Sequence, residues 1–134
     1  MPNSPPRDAG LRYDVFISYS HAADGETAAQ LQRALQRIAK PWYRLRGMRV
    51  FRDETDLSVA PEGWSAIQAA LASSRYFLLM ASERAAGSRW VAQELAYWLE
   101  HRSPDTLLIA LTDGDISWSN ERGDFDWART TSLP

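Results

Sequence analysis

Residues 13–20 read YDVFISYS, and the apolar run Val15–Ile17 at their centre indicates the class of fold. Its apolar residues are consecutive, whereas a strand with one wet face alternates apolar and polar residues. Three further runs of the same kind follow, at Val50–Phe51, Tyr76–Met80 and Leu107–Leu111. Consecutive apolar residues are typical of strands that are covered on both faces, so the pattern predicts an open parallel sheet.

The segments between these four runs show helical periodicity, with apolar residues three and four positions apart. The second segment begins near Pro61, a residue that suits the first turn of a helix, and the third extends from about Ser88 to Glu100. Alternating strands and helices predict a flavodoxin-like α/β fold, with helices on both faces of a parallel sheet of strand order 2-1-3-4. The first two predicted apolar helix faces consist of Ala28, Leu31, Leu35 and Ile38, and of Trp64, Ile67 and Leu71. The third helix carries the apolar residues Trp90, Val91, Leu95, Trp98 and Leu99.

The composition restricts the chemistry that the chain can perform. Its 134 residues, 45% of them hydrophobic, suit one domain with its own core. The absence of Cys excludes thiolate catalysis, disulfides and Cys-ligated metal sites, and two His residues are too few for a His-rich metal site. We therefore expect no metal. The net charge of −2 makes neither nucleic acid nor a membrane surface an expected partner.

The two ends of the sequence bear on the bounds of the domain and on its location in the cell. Residues 1–11 are polar and rich in Pro, without the apolar stretch of a secretory signal, which predicts a disordered tail before a domain at residues 12–134. No segment has the roughly 20 apolar residues of a membrane span. The lack of a secretory signal and of Cys predicts a cytoplasmic location. Residues 112–134 are mostly loop-like, and no further apolar run precedes Pro134.

Several familiar sites of α/β proteins are absent from the sequence. No Gly-x4-Gly-Lys-Ser/Thr phosphate loop, no Gly-x-Gly-x-x-Gly dinucleotide fingerprint and no Gly-x-Ser-x-Gly nucleophile elbow occurs. A phospho-acceptor receiver would need acidic residues directly after the first strand and a lysine after the last one. Here Asp14 begins the first strand, and the single lysine, Lys40, lies elsewhere. A functional site on this sheet therefore has to use other residues.

Glu94 is the residue that the helical pattern does not explain. At ~100° per residue, Trp90, Glu94 and Trp98 fall about 40° apart, which places Glu94 on the apolar face of its helix. Burial of a carboxylate is costly unless it is hydrogen-bonded or paired. Glu94 is therefore either structural, paired with an arginine such as Arg52 or Arg75, or functional. With strand order 2-1-3-4, its helix starts beside the crevice at the carboxyl ends of the first and third strands, where open α/β sheets bind ligands.

Three segments in this order resemble the Toll/interleukin-1 receptor (TIR) domain. Tyr13–Ser20 is similar to the first box of the family, Val50–Asp53 to its second strand, and Ser88–Leu95, which reads SRWVAQEL, to its Trp-x-x-x-Glu-Leu helix. Residues 54–63 would be the mobile loop between the second strand and the second helix. The resemblance extends from about residue 12 to 127, and it is strongest to bacterial TIR domains, which often precede a sensor or repeat region.

The resemblance implies two different functions. Many bacterial, plant and axonal members cleave NAD between nicotinamide and ribose, whereas the animal receptor and adaptor members mostly act as assembly modules. Glu94 matches the glutamate of the NAD-cleaving members, so we expect an NAD glycohydrolase that forms ADP-ribose or a cyclic ADP-ribose. NAD is then the substrate, and no cofactor is implied. The alternative is a non-catalytic module whose 54–63 loop docks onto another TIR domain. Relatives further imply activation by self-assembly and a role in bacterial defence or signalling.

The family pattern also implies which residues surround Glu94 and how the domain ends. Several of the implied substrate-binding residues have a structural alternative as well, Phe16 and Trp90 as core residues and Asp53 as half of a salt bridge. Trp64 is expected either to cover the site or to join a neighbouring subunit. A fifth strand and a last helix, usual in the family, are not evident. We therefore expect a shortened domain with an exposed sheet edge, or the N-terminal module of a longer protein. The implied substrate-binding residues are Phe16, Ser18, Tyr19, Ser20, Asp53, Trp64 and Trp90.

Overall fold

The computed structural model describes residues 11–38, 49–52 and 61–134, and within these ranges it contains a four-stranded parallel sheet. Its strands are β1 (Tyr13–Ser18), β2 (Val50–Arg52), β3 (Ser74–Ala81) and β4 (Leu107–Leu111). The strand order is β2-β1-β3-β4, which confirms the predicted order. β1 is therefore a central strand with a parallel neighbour on each side.

Helices cover both faces of this sheet, as predicted. The first helix packs on one face, and the second and fourth pack together on the other. The third helix has four residues and was not expected from the sequence, because so short an element shows no periodicity. Its N-terminus is capped by Ser82, whose hydroxyl accepts a hydrogen bond from the Ala85 N–H. The helices are α1 (His21–Ile38), α2 (Pro61–Ala72), α3 (Glu83–Ala86) and α4 (Arg89–His101).

Alternate residues of β1 enter two separate apolar cores. Val15 and Ile17 lie in the core beneath α1, whereas Phe16 lies in the core beneath α2 and α4. The ring of Phe16 stacks between Phe51 and Phe77, with centroid distances of 5.1 and 5.7 Å. Burial on both faces explains why the apolar residues of this strand are consecutive.

Arg102 ties the end of α4 to the end of α2. Its Nη1 donates to the carbonyl oxygens of Leu71 and Ala72 at 3.3 and 2.9 Å, and its guanidinium carbon lies 4.6 Å from the ring centre of Trp98. The last carbonyls of a helix have no partner within the helix and carry partial negative charge, so a cation is stabilising there. The orientation of α4, which carries Glu94, is held at this end by the Arg102 contacts.

β4 departs from the prediction. Its apolar run was expected to be covered on both faces, but Leu108, Ile109 and Leu111 are 47%, 40% and 51% exposed. In the described part of the chain β4 pairs with β3 alone and forms one edge of the sheet. Apolar residues in sequence indicate that a strand can be buried, but only the neighbouring elements determine whether it is.

Residues 112–134 fold into a small antiparallel pair and several turns, and then return to the core. Ser132 is fully buried, and Leu133 packs against the core beneath α2 and α4. Gly114 makes this return possible, because its φ is 83° and a Cβ there would collide with the Ser132 side chain. Among the described helices, none is both long and apolar enough to cross a membrane. The paired strands are β5 (Trp118–Ser119) and β6 (Asp124–Phe125).

Ser88→Ala is expected to lower the free energy of unfolding by about 1 kcal/mol. The Ser88 hydroxyl accepts a hydrogen bond from the Val91 N–H at 3.3 Å and so caps the N-terminus of α4. Ser65→Ala is the matched control, because Ser65 is exposed inside α2 and alanine is the better helix former there. Urea unfolding measures both variants, and equal midpoints would contradict the capping role.

Candidate active site

The candidate site lies where the chain reverses its direction across the sheet. From β1 the chain crosses to β2 on one side and then returns to β3 on the other, so the carboxyl end of β1 is the switch point at which open α/β sheets form a ligand crevice. Ser18 is the last residue of β1, and Tyr19 and Ser20 lie between β1 and α1. All three side chains are buried.

Glu94 lies on the buried face of α4, as the helical spacing predicted. Its exposure is 7%, and it shares this face with Val91 and Trp98, which are 1% and 0% exposed. The Ser18 hydroxyl donates a hydrogen bond to Glu94 Oε1 at 2.8 Å. Ser18 is 1% exposed, so this bond joins the end of the central strand to the middle of α4 inside the protein. A hydrogen bond to a carboxylate is stronger than one between neutral groups and offsets part of the cost of burial.

The pleat of β1 separates the residues that the sequence placed around Glu94. Ser18 projects to the side of α2 and α4, where Glu94 is. Tyr19 belongs to the core beneath α1, on the opposite face of the sheet. Its hydroxyl accepts a hydrogen bond from Arg52 Nη1 at 3.4 Å, and Arg52 Nε donates to Gln32 Oε1 at 2.8 Å. Arg52, one of the two arginines considered as a partner of Glu94, thus makes these two hydrogen bonds on the α1 face.

The aromatic residues predicted at the site differ in accessibility. Phe16 has no exposed surface and lies wholly within the core. Trp64 is half-buried and packs against the same core from α2. Trp90 is half-buried as well, and the Arg89 guanidinium carbon lies 5.5 Å from its ring centre. Trp64 and Trp90, which lie on the two helices that cover the Glu94 side of the sheet, are therefore partly accessible.

Two of the predicted elements lie outside the described residues. Asp53 is one of them, and the other is the predicted docking loop 54–63 over its residues 54–60. Both remain predictions. Ser20 is described and is 8% exposed, and its backbone carbonyl accepts a hydrogen bond from the Asp24 N–H at 2.8 Å in the first turn of α1.

A second buried carboxylate, Asp24, was not found by sequence reasoning. It is 6% exposed, and its Oδ2 accepts a hydrogen bond from the Thr112 hydroxyl at 3.0 Å. Thr112 directly follows β4, so this bond joins the start of α1 to the edge of the sheet that β4 forms. The available signal was weak, since an acidic residue in the first turn of a helix is ordinary. Its burial depends on a residue 88 positions away.

The described residues contain no group of three or more His, Cys, Asp or Glu side chains that could hold a metal ion. Among the same residues, every buried side-chain nitrogen and oxygen has a hydrogen-bond partner. What the site offers chemically is one buried carboxylate that accepts a hydrogen bond from a hydroxyl, under two helices that each carry a half-buried tryptophan. Such an arrangement suits the stabilisation of a cation that develops close to the carboxylate.

Comparison with known proteins gives consistent matches. The family described as "TIR domain" matches residues 15–132. The chain is 50% identical over 124 residues to a protein from Actinoplanes sp. named NAD(+) hydrolase ApTIR, a match that covers 92% of this chain and 17% of that protein. Among solved structures, it resembles the TIR domains of the activated Roq1 resistosome directly recognizing the pathogen effector XopQ. The TM-score is 0.57 and the identity 27%, over 78% of this chain and 59% of the other.

Proposed function

Because this chain belongs to the TIR domain family, we propose that it hydrolyses NAD at the bond between nicotinamide and ribose, with Glu94 as the catalytic carboxylate. The observation that carries the proposal is the placement of Glu94. It is 7% exposed and accepts a hydrogen bond from Ser18, the residue that ends β1 at the switch point of the sheet. Half the aligned residues are shared with a relative whose name is NAD(+) hydrolase, and that relative is much longer than this chain.

The proposed reaction suits a site with a single carboxylate. Nicotinamide in NAD is a cationic pyridinium, so the C1′–N bond can break with its electron pair moving to the ring nitrogen, and nicotinamide leaves neutral without a general acid. Positive charge then develops on the ribose as an oxocarbenium ion. Water adds its oxygen to C1′ and loses a proton, which gives ADP-ribose. Attack by a nitrogen of the adenine instead of water would give the cyclic form.

Glu94 has two roles in this reaction. Its negative charge stabilises the developing oxocarbenium ion, and it holds a ribose hydroxyl so that C1′ lies beside the carboxylate. Exclusion of water strengthens such an electrostatic interaction, and the low exposure of Glu94 is consistent with this. The part-exposed rings of Trp64 and Trp90 are our candidates for an apolar wall against the nicotinamide.

The other residues predicted at the site have different roles in the proposal. We assign Ser20 and Asp53 to the border of the substrate site, Ser20 because it follows β1 at the switch point. Tyr19 acts indirectly, since its side chain lies on the α1 face. We assign Phe16 to the core, because none of its surface is exposed, and its packing holds β1 in place near Ser18.

We propose that self-association activates this domain, as the similarity to the TIR domains of a resistosome suggests. The proposed contact is the 54–63 loop, and the proposed setting is bacterial defence or signalling. A non-catalytic assembly module is the second candidate, because the same similarity is to TIR domains within an assembly. The two candidates differ in one measurable property, the turnover of NAD.

The deciding experiment is the release of nicotinamide from NAD by this chain fused to a coiled coil that enforces oligomers. Active protein is expected to release nicotinamide, with a turnover per chain that rises by at least about tenfold from the dilute, unfused chain to the fused oligomer, since clustering raises the effective concentration of neighbouring domains. Release is followed by chromatography, and the fused Glu94→Ala protein gives the background. Oligomers that form but release no more nicotinamide than this background would rule out the enzyme and leave the assembly module.

A further inference from the structure

We infer that Ser18 is a positioning residue, whose hydroxyl orients the Glu94 carboxylate without itself contacting the substrate. This inference rests on the proposed NAD hydrolysis. It also changes the role that the sequence implied for Ser18, which was to border the nicotinamide and ribose. Ser18 is 1% exposed, and its Oγ lies 2.8 Å from Glu94 Oε1. A serine hydroxyl has one proton to donate, and Glu94 receives it.

The backbone of Ser18 is well suited to hold another residue in place. Ser18 ends the central strand and is in register with Leu79 of β3. It follows Ile17, which is in register with both Arg52 of β2 and Leu78 of β3. A residue at the end of such a doubly paired strand has little freedom to move, and functional groups supported by rigid elements are held most accurately.

The backbone of Glu94 does not by itself hold the carboxylate in one position. A glutamate has three side-chain torsions, and ordering a side chain of this length costs up to about 2 kcal/mol of conformational entropy. A donor held at a fixed position reduces the number of orientations that its carboxylate samples relative to the crevice. The Ser18 hydroxyl selects one of them before substrate binds. Misplacement of a catalytic group by about 1 Å can lower a rate about 100-fold, so the selected orientation affects the chemical step.

A positioning role and a substrate-binding role for Ser18 predict different kinetics. If the hydroxyl orients Glu94, its loss weakens an interaction that is made in the transition state, so kcat decreases while KM changes little. If the hydroxyl binds the substrate in its ground state, its loss raises KM and leaves kcat unchanged.

The test compares Ser18→Thr with Ser18→Val, which have nearly the same shape and differ in the hydroxyl. Both variants are made in the fused, oligomeric protein, with NAD as the probe and released nicotinamide as the signal. Ser18→Thr is expected to retain most of the kcat. Ser18→Val is expected to lose about 10- to 100-fold in kcat, the usual effect of removing a group that orients a functional residue, with KM within about threefold of the unmodified protein. Thermal unfolding of each variant shows that it is folded.

Ser18→Ala is the third variant, because it fits wherever serine fits if the added methyl groups of Thr and Val are not accommodated. Its kcat is expected to fall like that of Ser18→Val. If folded Ser18→Ala has an unchanged kcat, or if only its KM increases, the positioning role is wrong while NAD hydrolysis stands. Fused, unmodified protein without any nicotinamide release would instead refute the proposed function, and the role of Ser18 in it falls with that result.

Discussion

Glu94→Ala is expected to reduce nicotinamide release from NAD by at least about 100-fold, the usual cost of removing one preorganised electrostatic group from an active site. The loss should appear in kcat. In this mechanism the carboxylate interacts most strongly with the oxocarbenium ion, which exists only near the transition state, and an interaction made only there affects kcat and kcat/KM equally. The measurement is steady-state kinetics on the fused oligomer, with unmodified protein alongside.

Glu94→Gln separates the charge of Glu94 from its shape. The amide oxygen can still accept a hydrogen bond from Ser18, so the packing of α4 against β1 is preserved, whereas the negative charge is lost. We expect Glu94→Gln to be folded and nearly as inactive as Glu94→Ala.

Glu100→Gln is the matched control on the same helix, where the side chain is 76% exposed, and its rate is expected to equal that of the unmodified protein. Substantial turnover in folded Glu94→Gln would show that the charge of Glu94 is not what the reaction requires.

Trp98→Ala is expected to lower the free energy of unfolding by about 3–5 kcal/mol, as is typical for truncation of a buried aromatic residue. Trp98 is completely buried, its ring centre lies 5.5 Å from that of Phe77, and its Nε1 donates to Thr106 Oγ1 at 3.1 Å. The Arg102 guanidinium also lies over its ring. Because the free energy of unfolding of a domain is typically only about 5–15 kcal/mol, this one change is expected to remove a large part of it.

Urea unfolding of Trp98→Ala should be compared with that of Leu99→Ala. Leu99 is the next residue of α4 and is 50% exposed, so its truncation is expected to cost about 0.5 kcal/mol or less. Trp98→Phe keeps a ring in the core and is expected to fall between the two. Similar midpoints for Trp98→Ala and Leu99→Ala would show that burial on α4 does not determine stability as the structure indicates.

The secondary structure and the buried position of Glu94 could be predicted because both depend on local patterns. Pro61 begins α2 as expected, and Trp64, Ile67 and Leu71 lie on its packed face. The same 3.6-residue periodicity is sufficient to place Glu94 on one helix face with Val91 and Trp98, without any tertiary contact. The four residues of α3 are too few to show a helical period, so this helix could not be predicted.

The direction of side chains around the site was predicted less well. Ser18, Tyr19 and Ser20 are consecutive, and the family resemblance assigned all three to one site. In an extended strand, however, neighbouring side chains point to opposite faces, which separates Tyr19 from Ser18 and Glu94. Strand parity places Ser18 on the same face as Phe16, but which helix covers that face, and therefore whether Glu94 meets Ser18, depends on the tertiary structure.

The sequence by itself therefore determined the four strands, the three long helices and which carboxylate is buried on α4, because these follow from periodicities within each element. The strand order was predicted from the topological rules for parallel α/β sheets. Only the tertiary structure decided three other points: that Ser18 donates to Glu94, that Tyr19 faces α1, and which apolar residues of β4 are exposed. The physical reason is separation along the chain. Ser18 and Glu94 are 76 positions apart, and their contact exists only once β1 and α4 pack together. The exposure of Leu108 and Ile109 likewise depends on what lies beside β4, which no pattern within the strand encodes.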